Sequence, residues 1–289
     1  SDGVGISSSP KKCAAEFMEY YKKETNQALI SCGGGELMCE ILEYIDFGQL
    51  KRLPPKWFMG YSDNTNLIFL LATLTDTAAI YGPNVGAFGM EPWHASIQDA
   101  YELLQGKKFE MQNYPMWEKE SLKDEQHPLA AYHVTEPFLL HTNKKEGESF
   151  KIEGRLLGGC LDCLSHLRGT KFDKVKEFNQ KYEDDGILWF LESCDLNVFE
   201  MRRTLWSLKQ AGWFDTCRGF LIGRPGVQGQ IIAGLDQYEA VLSILSEFDV
   251  PIFMDLDIGH VAPMMPLICG SYGKVTVVGN DCCIAMSLQ

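Results

Sequence analysis

Ser62 sits in the run Lys56-Trp-Phe-Met-Gly-Tyr-Ser-Asp-Asn-Thr-Asn-Leu-Ile-Phe-Leu-Leu-Ala-Thr-Leu74, whose residue types suit nucleophilic chemistry. Trp57, Phe58 and Met59 form a short apolar strand, and Gly60 permits a sharp turn. Leu67, Ile68, Leu70, Leu71 and Leu74 then recur at helical spacing. A serine between such a strand and helix presents its hydroxyl clear of the sheet. The free N–H groups of the helix start stabilise negative charge developing there. This is the plan of a nucleophile elbow, although Asn64 stands where G-x-S-x-G has its second glycine. The same residues also suit a plain helix cap, and this segment alone favours the cap.

A serine nucleophile needs a base and a group that orients the base. Of six histidines, His94, His127, His133, His141 and His166 lie in polar, loop-like or surface-helix contexts. His260 differs, because Asp255-Leu-Asp-Ile-Gly-His260 follows the apolar strand Ile252-Met254 at its C-terminal end. In α/β sheets functional groups gather at that edge. Glu192 ends the apolar run Ile187-Leu-Trp-Phe-Leu191, and a carboxylate there requires a partner. An imidazole would serve, as would Arg202 or Arg203.

The elements that must hold these groups alternate. Ser9-Pro10 starts a helix with Ala14, Phe17, Met18 and Tyr21 on one face. Ala28 to Cys32 is a buried strand that enters Gly33-Gly-Gly35 and a helix-like segment with Leu37, Ile41, Leu42 and Ile45. Ala78 to Tyr81 is a further strand, ended by Gly82-Pro83. Strand and helix in alternation predict a parallel sheet covered on both faces. Residues 111–150, richer in charge and proline, read as a linker, with an extended stretch over Tyr132–Thr142. Beyond it, strands are expected at Arg155–Leu157, Ile187–Leu191, Phe220–Ile222 and Ile252–Met254. Helices are expected at Leu161–Leu167, Asn197–Ala211 and Leu235–Glu247, and a terminal hairpin turns at Gly279-Asn-Asp281. The fold class is therefore α/β: an N-terminal parallel-sheet α/β domain (1–110) and a C-terminal mixed α/β domain (151–289).

Composition narrows the function classes. The 289 residues, 45% hydrophobic, suffice for a large core, and the formal net charge is −13. No basic stripe offers itself to nucleic acid, and no apolar run approaches the roughly 18 residues needed to span a bilayer. Ten cysteines, scattered and often in apolar segments, fit a reducing cytosol, so a cytoplasmic location is expected. Cys160-Leu-Asp-Cys163 has C-x-x-C spacing without a second pair at zinc-finger distance, which favours packing over zinc or redox chemistry. No H-x-x-x-H helix, P-loop or Rossmann fingerprint is present, so no metal and no organic cofactor is implied.

Taken in series, Gly60-Tyr-Ser-Asp63, Gly154-Arg-Leu-Leu-Gly-Gly159, Glu192 with Arg203 downstream, and Asp257-Ile-Gly-His260 resemble the LD-carboxypeptidase family. These are serine peptidases that include the microcin C immunity proteins. The resemblance runs from about Gln27 to Val278. It implies a triad in which Ser62 attacks, His260 carries the proton and Glu192 orients the imidazole, at the interface of the two domains. It also implies an oxyanion hole from the backbone N–H of Asp63 and one from the Gly33-Gly34 turn. Losing one such donor typically costs about 3–4 kcal/mol of barrier. Relatives usually open with a further strand, helix and strand that this chain lacks, so a fragment or a processed form is expected. Their glycine turn usually carries an aromatic residue where this chain has Gly33-Gly-Gly-Glu36. Glu36, Asn84, Trp93 and Arg203 are accordingly named as substrate contacts, and Trp93 or Trp117 as stacking surfaces for a base. The substrate the resemblance implies is a small peptide such as a murein tetrapeptide, cut before its terminal D-alanine. The alternatives are a peptidyl- or aminoacyl-nucleotide of the microcin C kind, or a non-catalytic binding role. A homodimer is expected by resemblance.

Overall fold

The computed structural model describes residues 4–144 and 148–288. The first sheet is built from three short parallel strands, β1 (Ala28–Ile30), β2 (Trp57–Gly60) and β3 (Ala79–Tyr81). Helix α1 (Pro10–Lys22) buries Ala14, Met18 and Tyr21, with proline at its start as the sequence predicts. The segment after the glycine turn is a 3-10 helix over Met38–Tyr44, followed by the one-turn helix α2 (Phe47–Leu50). Helix α3 (Thr65–Thr75) buries nearly every residue, because sheet lies on one side and other helices on the next. Helix α4 (Ala95–Leu104) was not foreseen. Its Ile97, Ala100 and Leu103 are buried, and the His94 ring caps it by accepting from Ser96 N–H at 3.1 Å.

Short parts of the segment 111–150, expected as a linker, are drawn into sheets. Strand β4 (Glu110–Gln112) and the short pair β5 (Met116–Trp117) and β6 (Glu136–Pro137) are followed by β7 (His141–Thr142). Next come the strand β8 (Ser149–Cys160), α5 (Leu161–Leu167), α6 (Val175–Lys181), β9 (Ile187–Glu192), α7 (Val198–Gln210) and β10 (Cys217–Gly223). The chain closes with α8 (Gln237–Leu245), β11 (Ile252–Leu256), β12 (Leu267–Cys269), β13 (Tyr272–Val278) and β14 (Asp281–Ser287).

The second sheet has eight strands in the order β4-β14-β13-β8-β9-β10-β11-β7. Its centre, β8 through β11, is parallel, and its flanks are antiparallel. The short edge strands β4 and β7 end the pairing after two or three residues, which blunts the exposed edges. Strand β8 is far longer than the expected 155–157. Its first half alternates between exposed and partly covered residues, and its second half is wholly buried, so only the latter reads as a strand core. Strand β12 pairs antiparallel with β3, so residues 267–269 complete the first sheet from the far end of the chain. The fold is thus mixed α/β with two domains, and no helix among the described residues is long and apolar enough to cross a membrane. All ten cysteines are free thiols.

Candidate active site

The C-terminal ends of β2, β3, β9 and β11 converge, and each delivers one group. Beyond β2, Ser62 adopts φ 65°, a left-handed backbone that a non-glycine residue enters only under constraint. The constraint is visible. Asn64 Nδ2 donates to the carbonyls of Tyr61 and Gly33, both at 2.9 Å, and to Asn84 Oδ1 at 3.3 Å. Asp63 accepts from Met38 N–H at 2.8 Å and from Asn66 Nδ2 at 2.9 Å. The turn after β1 is thereby tied to the elbow by the residues either side of its apex. Burial raises the Asp63 carboxyl above its ordinary range, against the pull of these hydrogen bonds.

Gly34 faces the apex. A Cβ there would lie 2.9 Å from Ser62 Oγ, so only glycine lets the turn approach this closely. Its N–H has no internal acceptor among the described residues. The Asp63 N–H lies in the first turn of the 3-10 helix Ser62–Asn64, where donors lack partners in the helix itself. Neither the Gly34 nor the Asp63 N–H donates to another group among the described residues.

Glu192 ends β9 wholly buried. His260 Nδ1 lies 2.9 Å from its Oε2 and 3.1 Å from its Oε1. Gly259, at φ 97°, makes this approach possible, since a Cβ there would fall 2.4 Å from Glu192 Oε2. Burial disfavours a charged imidazole, but the Glu192 carboxylate and the Cys194 thiol outweigh it and push His260 up to about 11. The Tyr61 ring packs on the imidazole at 4.9 Å between centroids, which seats His260 beside the elbow. Among the described residues no hydrogen bond joins the Ser62 hydroxyl to the imidazole. Catalytic contacts of this kind often tighten only when substrate binds.

Tyr81 was missed from the sequence. Its buried hydroxyl donates to Glu192 Oε1 and accepts from Ser62 N–H at 3.5 Å, so it touches both the acid and the elbow. Burial, then the Glu192 charge, raises its pKa well above the ordinary phenol value. The only available signal was its place at the end of β3, level with Gly60 in the register. The loop that carries His260 is anchored by another unforeseen pair. Arg224, 1% exposed, bonds Asp257 Oδ1 and donates to the Asp255 carbonyl at 2.6 Å. Tyr114 N–H donates to the other Asp257 oxygen at 2.7 Å.

The other residues named from sequence make no direct hydrogen bond to Ser62, Glu192 or His260 among the described residues. Glu36 is exposed on the glycine turn. Asn84 does reach the elbow through Asn64. Trp93, 38% exposed, is held by Phe88 and Tyr101 in edge-on contacts and donates to the Phe88 carbonyl at 2.9 Å. Trp117 donates to the Pro137 carbonyl at 3.2 Å and covers Arg224. Arg203 lies on the exposed side of α7, 3.9 Å from Glu200, and makes no pair with Glu192. A cleft of about 850 Å³, lined by Trp57, Asp76, Arg155 and Tyr182 among others, lies away from the Ser62 elbow.

Known proteins share this architecture. The microcin C7 self-immunity protein MccF of Escherichia coli is 25% identical over 264 residues, covering 90% of this chain and 74% of its own. A solved complex of MccF with glutamyl sulfamoyl guanosine superposes with a TM-score of 0.78 at 20% identity, covering 97% of this chain and 82% of that one. An MccF-like protein of Bacillus anthracis gives 0.81 at 22% identity, with 99% and 84% covered. Muramoyltetrapeptide carboxypeptidase of Oxalobacter formigenes gives 0.74 at 17%, with 99% and 86% covered. Residues 2–82 match the LD-carboxypeptidase N-terminal domain and residues 153–275 the LD-carboxypeptidase C-terminal domain, and the chain belongs to the LD-carboxypeptidase family.

Proposed function

We propose that this protein is a serine hydrolase that cleaves the terminal amide of a small peptide through an acyl-enzyme. The observation that carries the reading is the buried Glu192–His260 pair, set beside a serine held at positive φ. Ser62 Oγ attacks the carbonyl carbon, and His260 takes the hydroxyl proton. The N–H groups of Asp63 and Gly34 receive the negative charge that forms on the carbonyl oxygen. His260 then protonates the departing amine, and water repeats the sequence on the ester. Glu192 keeps the imidazole in one tautomer and stabilises its charged form. An imidazole held up to about 11 is protonated in the resting protein at neutral pH, so acylation is expected to quicken as pH rises.

The favoured substrate is a murein tetrapeptide losing its terminal D-alanine, in line with the family and with the muramoyltetrapeptide carboxypeptidase relative. Mass spectrometry of the tetrapeptide incubated with the protein tests this. Loss of one alanine, abolished in Ser62→Ala, is the expected result, and equal rates for both proteins would end the proposal. A second reading is amide cleavage in a peptidyl-nucleotide, because MccF binds glutamyl sulfamoyl guanosine. The half-exposed Trp93 is the surface on which a base would stack. Failure of aminoacyl sulfamoyl-adenosine to bind would remove that reading.

A further inference from the structure

We infer that Cys160, Glu192 and His260 together form a capture site for a thiophilic divalent cation of the zinc class, which holds the protein inactive while bound. The consequence for activity rests on the hydrolase reading above, whereas the binding itself does not. One ligand atom from each of the three side chains lies within 4.8 Å of the other two. The donors are a sulfur, a carboxylate oxygen and an imidazole nitrogen, the set that zinc accepts and that magnesium or calcium does not. Tetrahedral coordination with bonds of about 2.0–2.3 Å places ligand atoms roughly 3.5 Å apart. Side-chain adjustments of about an ångström therefore close the site. The Glu192–His260 separation of 2.9 Å is already short enough.

The surroundings are organised for such a centre. Tyr81 donates to Glu192 Oε1 and fixes the carboxylate from behind. Asp162 accepts from the Cys160 thiol at 3.2 Å and from the backbone N–H groups of Cys194 and Asp195 at 3.1 and 3.0 Å. One carboxylate thus orients the sulfur of Cys160 and also holds the backbone of Cys194. Cys163 is not part of the set, because its thiol is directed to the Ser62 carbonyl at 3.5 Å. On capture the metal–sulfur and metal–nitrogen bonds form, the Cys160 thiol proton and the second proton of the His260 imidazolium both pass to water, and the freed imidazole nitrogen donates its lone pair to the metal. The base and the group that orients it are then both occupied, and Ser62 loses its proton acceptor.

Cobalt(II) is the probe, because thiolate coordination gives it a charge-transfer band in the near ultraviolet. Titration of the full chain is expected to produce the band, and zinc is expected to bleach it. Cys160→Ser and Cys160→Ala should both lose the band while their circular dichroism stays that of the parent. Cys32→Ser, which removes an exposed thiol, should keep it. Retention of the band in both Cys160 variants, or its loss in Cys32→Ser, would overturn the site. Labelling of Ser62 by a fluorophosphonate supplies the second readout. Zinc is expected to slow it and a chelator to restore it, with sensitivity reduced by about tenfold or more in Cys160→Ser. A band that depends on Cys160 in a protein whose Ser62 never labels would leave the metal site standing and remove the hydrolase reading.

Discussion

Replacing Glu192 by glutamine isolates what the buried carboxylate does for His260. The substitution keeps shape and one acceptor oxygen but removes the charge 2.9 Å from Nδ1. Burial, which disfavours imidazolium, stays in place, while the attraction that overcomes it is lost. A group now held at about 11 should therefore fall toward its ordinary value of 6.5, leaving only the smaller Cys194 influence against burial. A full return would be on the order of 6 kcal/mol of preference for the charged imidazole. Two effects on Ser62 reactivity follow, and they run in opposite directions with pH. The rising limb of the rate should move from the alkaline range to near neutrality. The plateau should fall by about 10⁴-fold, because an amide no longer selects the productive tautomer. Fluorophosphonate labelling of Ser62 followed from pH 5 to 11 measures both. A limb that stays in place, or a plateau within about threefold of the parent, would refute the assignment of Glu192 as the orienting group.

Three further outcomes are expected. Tyr81→Phe removes the donor to Glu192 Oε1 and the acceptor for Ser62 N–H, so Ser62 labelling should slow by about 10–100-fold, in line with a loss of about 1–3 kcal/mol. Unaltered labelling in a folded Tyr81→Phe protein would show that the hydroxyl positions neither group. Arg224→Met leaves Asp257 buried and unpaired, and denaturant unfolding should register a loss of about 3–5 kcal/mol. A change below about 1 kcal/mol would show that the His260 loop does not depend on this pair. The raised His260 pKa also links stability to pH. Its contribution is fully present below 6.5 and lost as pH rises through about 11, so the Tm gap between the parent and His260→Gln should narrow across that interval.

Where local chemistry decided the structure, the sequence revealed it. Helix α7 spans Val198–Gln210 because Asn197 and Glu200 form a reciprocal capping box, and its limits were legible to within a residue. Helix α5 begins where the buried half of β8 ends, also as expected. The strand, turn and helix around Ser62 were legible because Trp57–Met59 and Leu67–Leu74 carry unmistakable periodicities. Partners distant in the chain were not. Nothing in β12 announces that Leu267 will pair with Tyr81, and strands of two or three residues such as β4 and β7 exist only because a longer neighbour recruits them. The meeting of Glu192 and His260, 68 residues apart, was suggested by the order of motifs and by the need of a buried carboxylate for a partner. Tyr81 escaped notice because a tyrosine in an apolar strand reads as core until its hydroxyl is placed. Trp93 drew attention as an aromatic residue in loop-like sequence and Arg203 through its place after Glu192 in the motif series, whereas the Phe88 and Tyr101 rings around Trp93 and the Glu200 carboxylate near Arg203 follow from packing that no motif encodes.

The first measurement to make is the intact mass and peptide map of the protein after exposure to a fluorophosphonate, with Ser62→Ala and His260→Gln treated alongside. A single adduct on Ser62 in the parent, absent from Ser62→Ala and strongly slowed in His260→Gln, is the expected result. No adduct, or one on a different residue, would contradict the reading of Ser62 as a nucleophile activated by His260.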